Sequence, residues 1–133
     1  MIICHDNRYP ELCRLPVLAG ARIIFYLSHE CNLSKRSKLG PCRAQVQARA
    51  VENGVFVVHA NAPSDGGTCG SHGETRIVGP DGNILLEASQ RDEEILIADL
   101  DLRLATRGFA LNSLRGPHRR WWREGIRKVP IVA

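Results

Sequence analysis

The 133-residue chain has no apolar run approaching the ~20 residues needed to cross a bilayer, and Met1 opens on a strand-like run with no basic leader. Neither a membrane span nor a secretory signal is therefore expected. There is no Cys-x-x-Cys spacing among Cys4, Cys13, Cys31, Cys42 and Cys69, and their number is odd. A disulfide framework is disfavoured, and a reducing cytoplasm fits best. His29 with Cys31, and Cys69 with His72, lack partner pairs at zinc-site spacing, so no metal is expected, and no cofactor either. Internal repeats and low-complexity segments are also missing, which leaves one ordinary globular body of 44% apolar and 24% charged residues.

The net charge of +4 is unevenly placed. From Arg115 onward there are six basic residues and one acidic, whereas Met1 to Leu114 carries twelve basic and thirteen acidic. The chain thus divides into a body, 1–114, and a basic carboxyl-terminal arm, 115–133. In the arm, arginines flank Trp121 and Trp122, a mixture that can pair with phosphates and stack on bases. Nucleic acid is nevertheless disfavoured as a partner. An arm that packs its tryptophans on a neighbouring subunit is the better reading, and a homo-oligomer is expected.

The informative stretch is Ile2-Ile3-Cys4-His5-Asp6-Asn7-Arg8-Tyr9-Pro10-Glu11. Two β-branched residues lead into a cysteine, and a polar turn then ends in Pro10 and Glu11, which suit the first turn of a helix. This is a strand, an elbow and a helix. A thiol on such an elbow stands at the carboxyl end of a sheet, where turn N-H groups stabilise a thiolate or an oxyanion. Cys4 is the candidate nucleophile; the alternative is a small buried cysteine at a strand end.

The run Cys-His-Asp-x-Arg-Tyr-Pro-Glu resembles the nucleophile motif of the nitrilase superfamily, the carbon-nitrogen hydrolases. Two further pieces follow in that family's order. Arg49-Ala50-Val51-Glu52-Asn53-Gly54, leading into a strand that ends at Asn61, resembles its RA-x-EN helix and following strand. Gly73-Glu74-Thr75-Arg76-Ile77-Val78-Gly79-Pro80-Asp81-Gly82 is similar to its G-x-S-x-I-x-x-P-x-G hairpin, with Thr75 where Ser is commoner. The resemblance implies a Glu-Lys-Cys triad whose Glu and Lys precede the nucleophile. With three residues before Cys4, the chain reads as the carboxyl-terminal portion of such an enzyme.

The remaining elements follow from pattern. Pro10 to Ala19 places Leu12, Leu15 and Leu18 on one helical face, with Pro16 expected to kink or restart the helix. Arg22 to Ser28 is nearly continuous in apolar residues, as a strand covered on both faces would be. Pro41 to Asn53 reads as a helix and Val55 to Ala60 as a second buried strand. Thr75 to Ala88 forms a hairpin through Pro80-Asp81-Gly82. Glu94 to Leu100 is expected to be the last strand, followed by a short helix capped by Asp101 and reaching about Arg107, with the arm starting from Phe109. The fold class is α/β, a partial α-β-β-α sandwich of the carbon-nitrogen hydrolase type.

The resemblance implies hydrolysis of a linear amide or N-carbamoyl compound through a thioester on Cys4, with the backbone N-H of His5 as an oxyanion donor. Amide or carbamoyl substrates are preferred over nitriles, because the Cys-His-Asp form is closer to the amidase branches. Ser28, His29, Glu30 and Asn61, at the strand ends on the Cys4 side, are candidate pocket residues; a solvated loop is the alternative for the first three. Asn7 and Arg8 are candidates for a substrate carboxylate, against a structural role in which Arg8 pairs with Asp6 or Glu11. Glu52 reads as structural. Without the Glu and Lys, the isolated chain is expected to be inactive, and the competing reading is a non-catalytic oligomerisation module that keeps the fold.

Overall fold

The computed structural model describes residues 1–30, 39–64, 70–116, 119, 120, 124 and 128. Residues 31–38 and 65–69, which the sequence reading assigns to loops, and most of 115–133, which it assigns to the arm, lie outside the described residues. In chain order the elements are β1 (Ile2–Ile3), a 3-10 turn (Cys4–Arg8), α1 (Pro10–Leu18), β2 (Ile23–Ser28), α2 (Leu39–Val51) and β3 (Phe56–Asn61). After these come β4 (Arg76–Val78), β5 (Ile84–Glu87), a second 3-10 turn (Leu102–Leu104) and α3 (Gly108–Arg115).

The strands form one five-stranded sheet in the order β1-β2-β3-β4-β5. The first three are parallel, because α1 and α2 return the chain between them; β4 and β5 are antiparallel and need only a tight turn. That turn is the Pro-Asp-Gly segment. Gly79 N-H bonds Asn83 O at 2.8 Å, and Gly82 takes φ +85°, a conformation that L side chains rarely adopt.

One face of the sheet carries the core. Ile2, Ile24, Tyr26, Val57 and Val78 alternate toward the helices and meet Cys13 and Val17 of α1, Val46 and Ala50 of α2 and Ala110 of α3. The opposite face is open: Ile3, Phe25 and Leu27 are 54%, 49% and 41% exposed. A β2 covered on both faces is thus not what the described residues show. Its apolar continuity reflects a second face that no described element covers.

Three other expectations change. The buried stripe of α1 is Cys13 and Val17, four apart, while Leu12 and Leu15 stay exposed, because a spacing of three drifts around a helix of 3.6 residues per turn. Pro16 neither ends nor restarts α1, which continues to Leu18 with Ala19 N-H closing on Leu15 O at 3.0 Å. Residues 94–100 are not a strand. Ile95 and Ile97 stand 89% and 85% exposed, since an alternating sequence becomes a strand only where a neighbouring edge accepts its ladder. The helix capped by Asp101 is a single 3-10 turn ending at Leu104, and α3 brings Ala110 into the core, so Phe109 does not begin a detached arm. Among the described residues no helix is long and apolar enough to cross a membrane.

The two faces predict different mutational costs. Ile24→Ala should destabilise by about 2–5 kcal/mol, whereas Phe25→Ser should cost under about 1 kcal/mol, both read by urea unfolding. A Phe25→Ser cost equal to that of Ile24→Ala would show that the open face is covered.

Candidate active site

Parallel pairing of Ile3 with Leu27 and of Leu27 with Ala60, carried one residue further, brings Cys4 level with Ser28 and Asn61 at the carboxyl ends of β1, β2 and β3. Cys4 takes φ +46°, in the left-handed region. A non-glycine residue held there costs on the order of 1–3 kcal/mol and persists only where its surroundings enforce it. Two contacts do so. The Asp6 carboxylate accepts the Ile3 N-H at 2.9 Å, tying the turn back to β1. From α2, the buried Arg49 donates from Nε and Nη2 to the Asn7 carbonyl at 3.1 and 2.8 Å.

Arg49 is itself held from its own helix. Its Nη1 pairs with Glu52 at 3.1 Å, and Asn53 Nδ2 donates to the Arg49 carbonyl at 2.8 Å. The segment Arg49-Ala50-Val51-Glu52-Asn53 is therefore a brace beneath the elbow, and Glu52 serves that brace. The bracing expected of Arg8 belongs to Arg49; Arg8 is exposed on the turn. Asn7 is buried and offers its carbonyl as the anchor.

Cys4 is half-buried, whereas Cys13 is fully buried and burial pushes its thiol up to about 11. Of the two, Cys4 has the accessibility a nucleophile requires. His5 follows it in the turn, where the leading N-H groups lack partners within the turn, and its exposed ring contacts the Tyr9 hydroxyl at 3.2 Å.

Beside the elbow lies a polar cluster. Ser28 Oγ is 2.8 Å from His59 Nε2 and donates to Asn61 Oδ1 at 2.9 Å. Asn61 Oδ1 also accepts from the Glu30 N-H at 3.1 Å and Ser71 Oγ at 2.9 Å, while its Nδ2 donates to the Gly73 carbonyl at 2.8 Å. The Tyr26 hydroxyl donates to Glu30 Oε1, and the Tyr26 ring stacks on His59 with centroids 4.4 Å apart. Burial, then the Glu30 contact, raises the Tyr26 hydroxyl well above its usual range. Ser28, Glu30 and Asn61 are thus brought together; His29 is exposed at the same edge.

Behind this cluster Arg76 is fully buried, paired with Glu74 and, at 3.2 Å, with Glu87. Burial, reinforced by Arg76 and then His72, depresses His59 to about 3, so its ring is neutral. Burial lowers His72 as well. Tyr26, His59, Ser71 and Arg76 were not singled out from sequence as site residues. The one available signal was His59, a polar residue interrupting the apolar run from Val55 to Ala60.

An apolar cavity of about 580 Å³, bordered by Gly54, Phe56, Leu104 and Phe109, lies at the amino-terminal end of β3, the end opposite Cys4. It does not belong to this site. The possible metal pairs involve Cys31 and Cys69, which lie outside the described residues, and no group of three potential ligands occurs among the described ones.

Comparison with known proteins fits this geometry. The carbon-nitrogen hydrolase family model matches residues 1–107. The chain belongs to that family. It is 34% identical over 101 residues to "Hydrolase in agr operon" of Staphylococcus aureus, covering 76% of this chain and 37% of that protein. It is 32% identical over 114 residues to the N-carbamoylputrescine amidase of Oryza sativa subsp. japonica, covering 75% of this chain and 37% of that protein. Among solved structures, the carbon-nitrogen hydrolase of Helicobacter pylori G27 superposes with a TM-score of 0.74 at 25% identity, over 97% of this chain and 49% of that one. The α/β sheet and its flanking helices are those of the nitrilase superfamily. The chain spans less than half the length of each of these three relatives.

The depressed histidines set a pH dependence. The unfolded chain binds protons near pH 6.5 that folded His59 refuses down to about 3, so the stability contributed is complete above about 6.5 and is lost as pH falls through that window. The loss should reach at most about 1.4 kcal/mol per pH unit for this residue, with His72 adding in the same direction. His59→Gln, which keeps a donor for Ser28, should flatten the slope between pH 6.5 and 5. An unchanged slope in urea titrations would contradict a neutral buried His59.

Proposed function

We propose that this chain carries the thiol side of an active site that hydrolyses a small-molecule linear amide or N-carbamoyl compound, with Cys4 as the nucleophile. The carrying observation is the elbow: a half-exposed thiol at φ +46° on the carboxyl edge of a parallel sheet, braced by Asp6 and Arg49. Backbone strain of that kind concentrates at functional sites. In this reading Cys4 gives its proton to a general base and forms a bond to the carbonyl carbon. The His5 N-H steadies the negative oxygen. Collapse expels the amine, which takes the proton from the base, and water then cleaves the thioester to acid and free thiol.

Ser28, Glu30 and Asn61 form the pocket edge in this proposal, with His29, Asn7 and Arg8 on its rim. By the resemblance, the base and the oxyanion's cation are a Glu and a Lys that precede the nucleophile, so in this reading the 133-residue chain by itself is inactive. Family membership supports the reaction class, and the amidase relative supports amide or carbamoyl substrates. Cys4 and Cys13, which form no disulfide, suit the reducing cytoplasm. Exposed Leu12, Leu15, Phe25 and Leu27 suit an oligomer to which the arm, 115–133, adds contacts.

The test is Cys4→Ala in the full-length protein from its source, assayed on a panel of linear amides and carbamoyl compounds. A loss of about a thousandfold or more in kcat/KM is expected, with an acyl adduct on the Cys4 peptide of the unsubstituted protein. Activity retained by Cys4→Ala would refute the reading. No turnover by the unsubstituted protein on the whole panel would favour a non-catalytic module that keeps the fold.

A further inference from the structure

Glu30 is tied to this edge at two points. Its backbone N-H is fixed by Asn61 Oδ1 at 3.1 Å, and its side chain accepts the hydroxyl of the buried Tyr26. The protons around it are set by two backbone groups. Asn61 Nδ2 faces a carbonyl, Gly73 O, and Oδ1 faces an N-H, that of Glu30, so the amide has one orientation. Ser28 must then spend its single proton on Asn61 Oδ1, and His59 must donate from Nε2 to Ser28. His59 is a donor toward the edge, so Ser28 and His59, which at 2.8 Å have the look of a nucleophile and its base, cannot act as one. Their work is to hold the ends of β2 and β3 in register and Glu30 with them.

The ionic groups around Cys4 narrow the role of Glu30. The Asp6 carboxylate is engaged by the Ile3 N-H, Arg8 is exposed on the turn, and the Arg49 and Glu52 charges are paired beneath it. Among the described residues, Glu30 has no cationic partner. A half-buried carboxylate pays to lose water, and a cation delivered by a ligand restores what it lost.

We propose that Glu30 is a specificity-determining residue of the Cys4 site and receives the positively charged nitrogen of an amide substrate that carries an ammonium or amidinium group. This rests on Cys4 being the thiol of the site, and it adds a substrate class to that reading: cationic amides over neutral or anionic ones.

The experiment uses three methanethiosulfonates of similar size on the full chain: the cationic aminoethyl, neutral methyl and anionic sulfonatoethyl reagents. Modification of Cys4 is timed by peptide mass spectrometry. The cationic reagent should react faster than the anionic one, and Glu30→Gln should lower that rate ratio roughly fivefold, the scale of one nearby charge partly screened by solvent. Glu30→Asp should retain most of the ratio, and added salt should erode it in the unsubstituted chain; a purely structural Glu30 would alter the three rates alike. A ratio unchanged in Glu30→Gln overturns the proposal while leaving the Cys4 reading intact. A preference for the anionic reagent in the unsubstituted chain also overturns it and assigns recognition to Arg8. If even the neutral reagent leaves Cys4 unmodified in the folded chain, the thiol reading fails and this inference with it.

Discussion

The guanidinium of Arg49 on the carbonyl of Asn7 is the contact on which the rest of the site depends. A left-handed Cys4 is unfavourable on its own, and β1 contributes only two residues of ladder to anchor it. Two charge-assisted bonds from a buried arginine join the turn to α2, which is packed into the core through Val46 and Ala50. The elbow therefore inherits the rigidity of the helix-covered face. Arginine suits this position because its planar fork reaches one carbonyl with two N-H groups and Glu52 with a third, a geometry lysine cannot copy.

The same division of labour runs through the molecule. One sheet face buries its apolar residues under three helices and supplies stability, and the carboxyl edge of the parallel strands carries Cys4 and the polar groups. Beyond Asn61 the cluster continues to Arg76, whose charge is met by Glu74 and Glu87 and whose presence helps keep His59 neutral. A neutral, oriented histidine serves there as a fixed donor to Ser28, whose own proton goes to the same Asn61 oxygen that holds the Glu30 N-H. The open face, with Ile3, Phe25 and Leu27, is the part of the fold the described residues leave uncovered.

Much of this was legible in the sequence, for identifiable reasons. The apolar runs from Arg22 to Ser28 and from Val55 to Ala60 and the Pro80-Asp81-Gly82 turn are signals set by local chemistry, and β2, β3 and the turn appear within a residue of those signals. Ile3-Cys4-His5-Asp6 read as an elbow because β-branched residues stop at a polar turn. What failed were statements about partners. Leu12 and Leu15 are apolar but face outward, and Glu94 to Leu100 alternates like a strand yet pairs with no edge among the described residues. Arg49 stood inside a motif, yet that its guanidinium reaches back 42 residues to Asn7 is a tertiary fact, as is the stacking of His59 on Tyr26.

The central claim is that the fold forces Cys4 into a strained, left-handed elbow. Comparing the unfolding free energies of Cys4→Gly and Cys4→Ala tests it most directly, since neither variant has a thiol and they differ in their tolerance of positive φ. The account predicts that the glycine variant is the more stable by about 1 kcal/mol, despite the greater flexibility of glycine in the unfolded chain. An alanine variant equal or superior in stability would mean that Cys4 occupies an ordinary extended or helical conformation, and the nucleophile elbow would lose its physical basis.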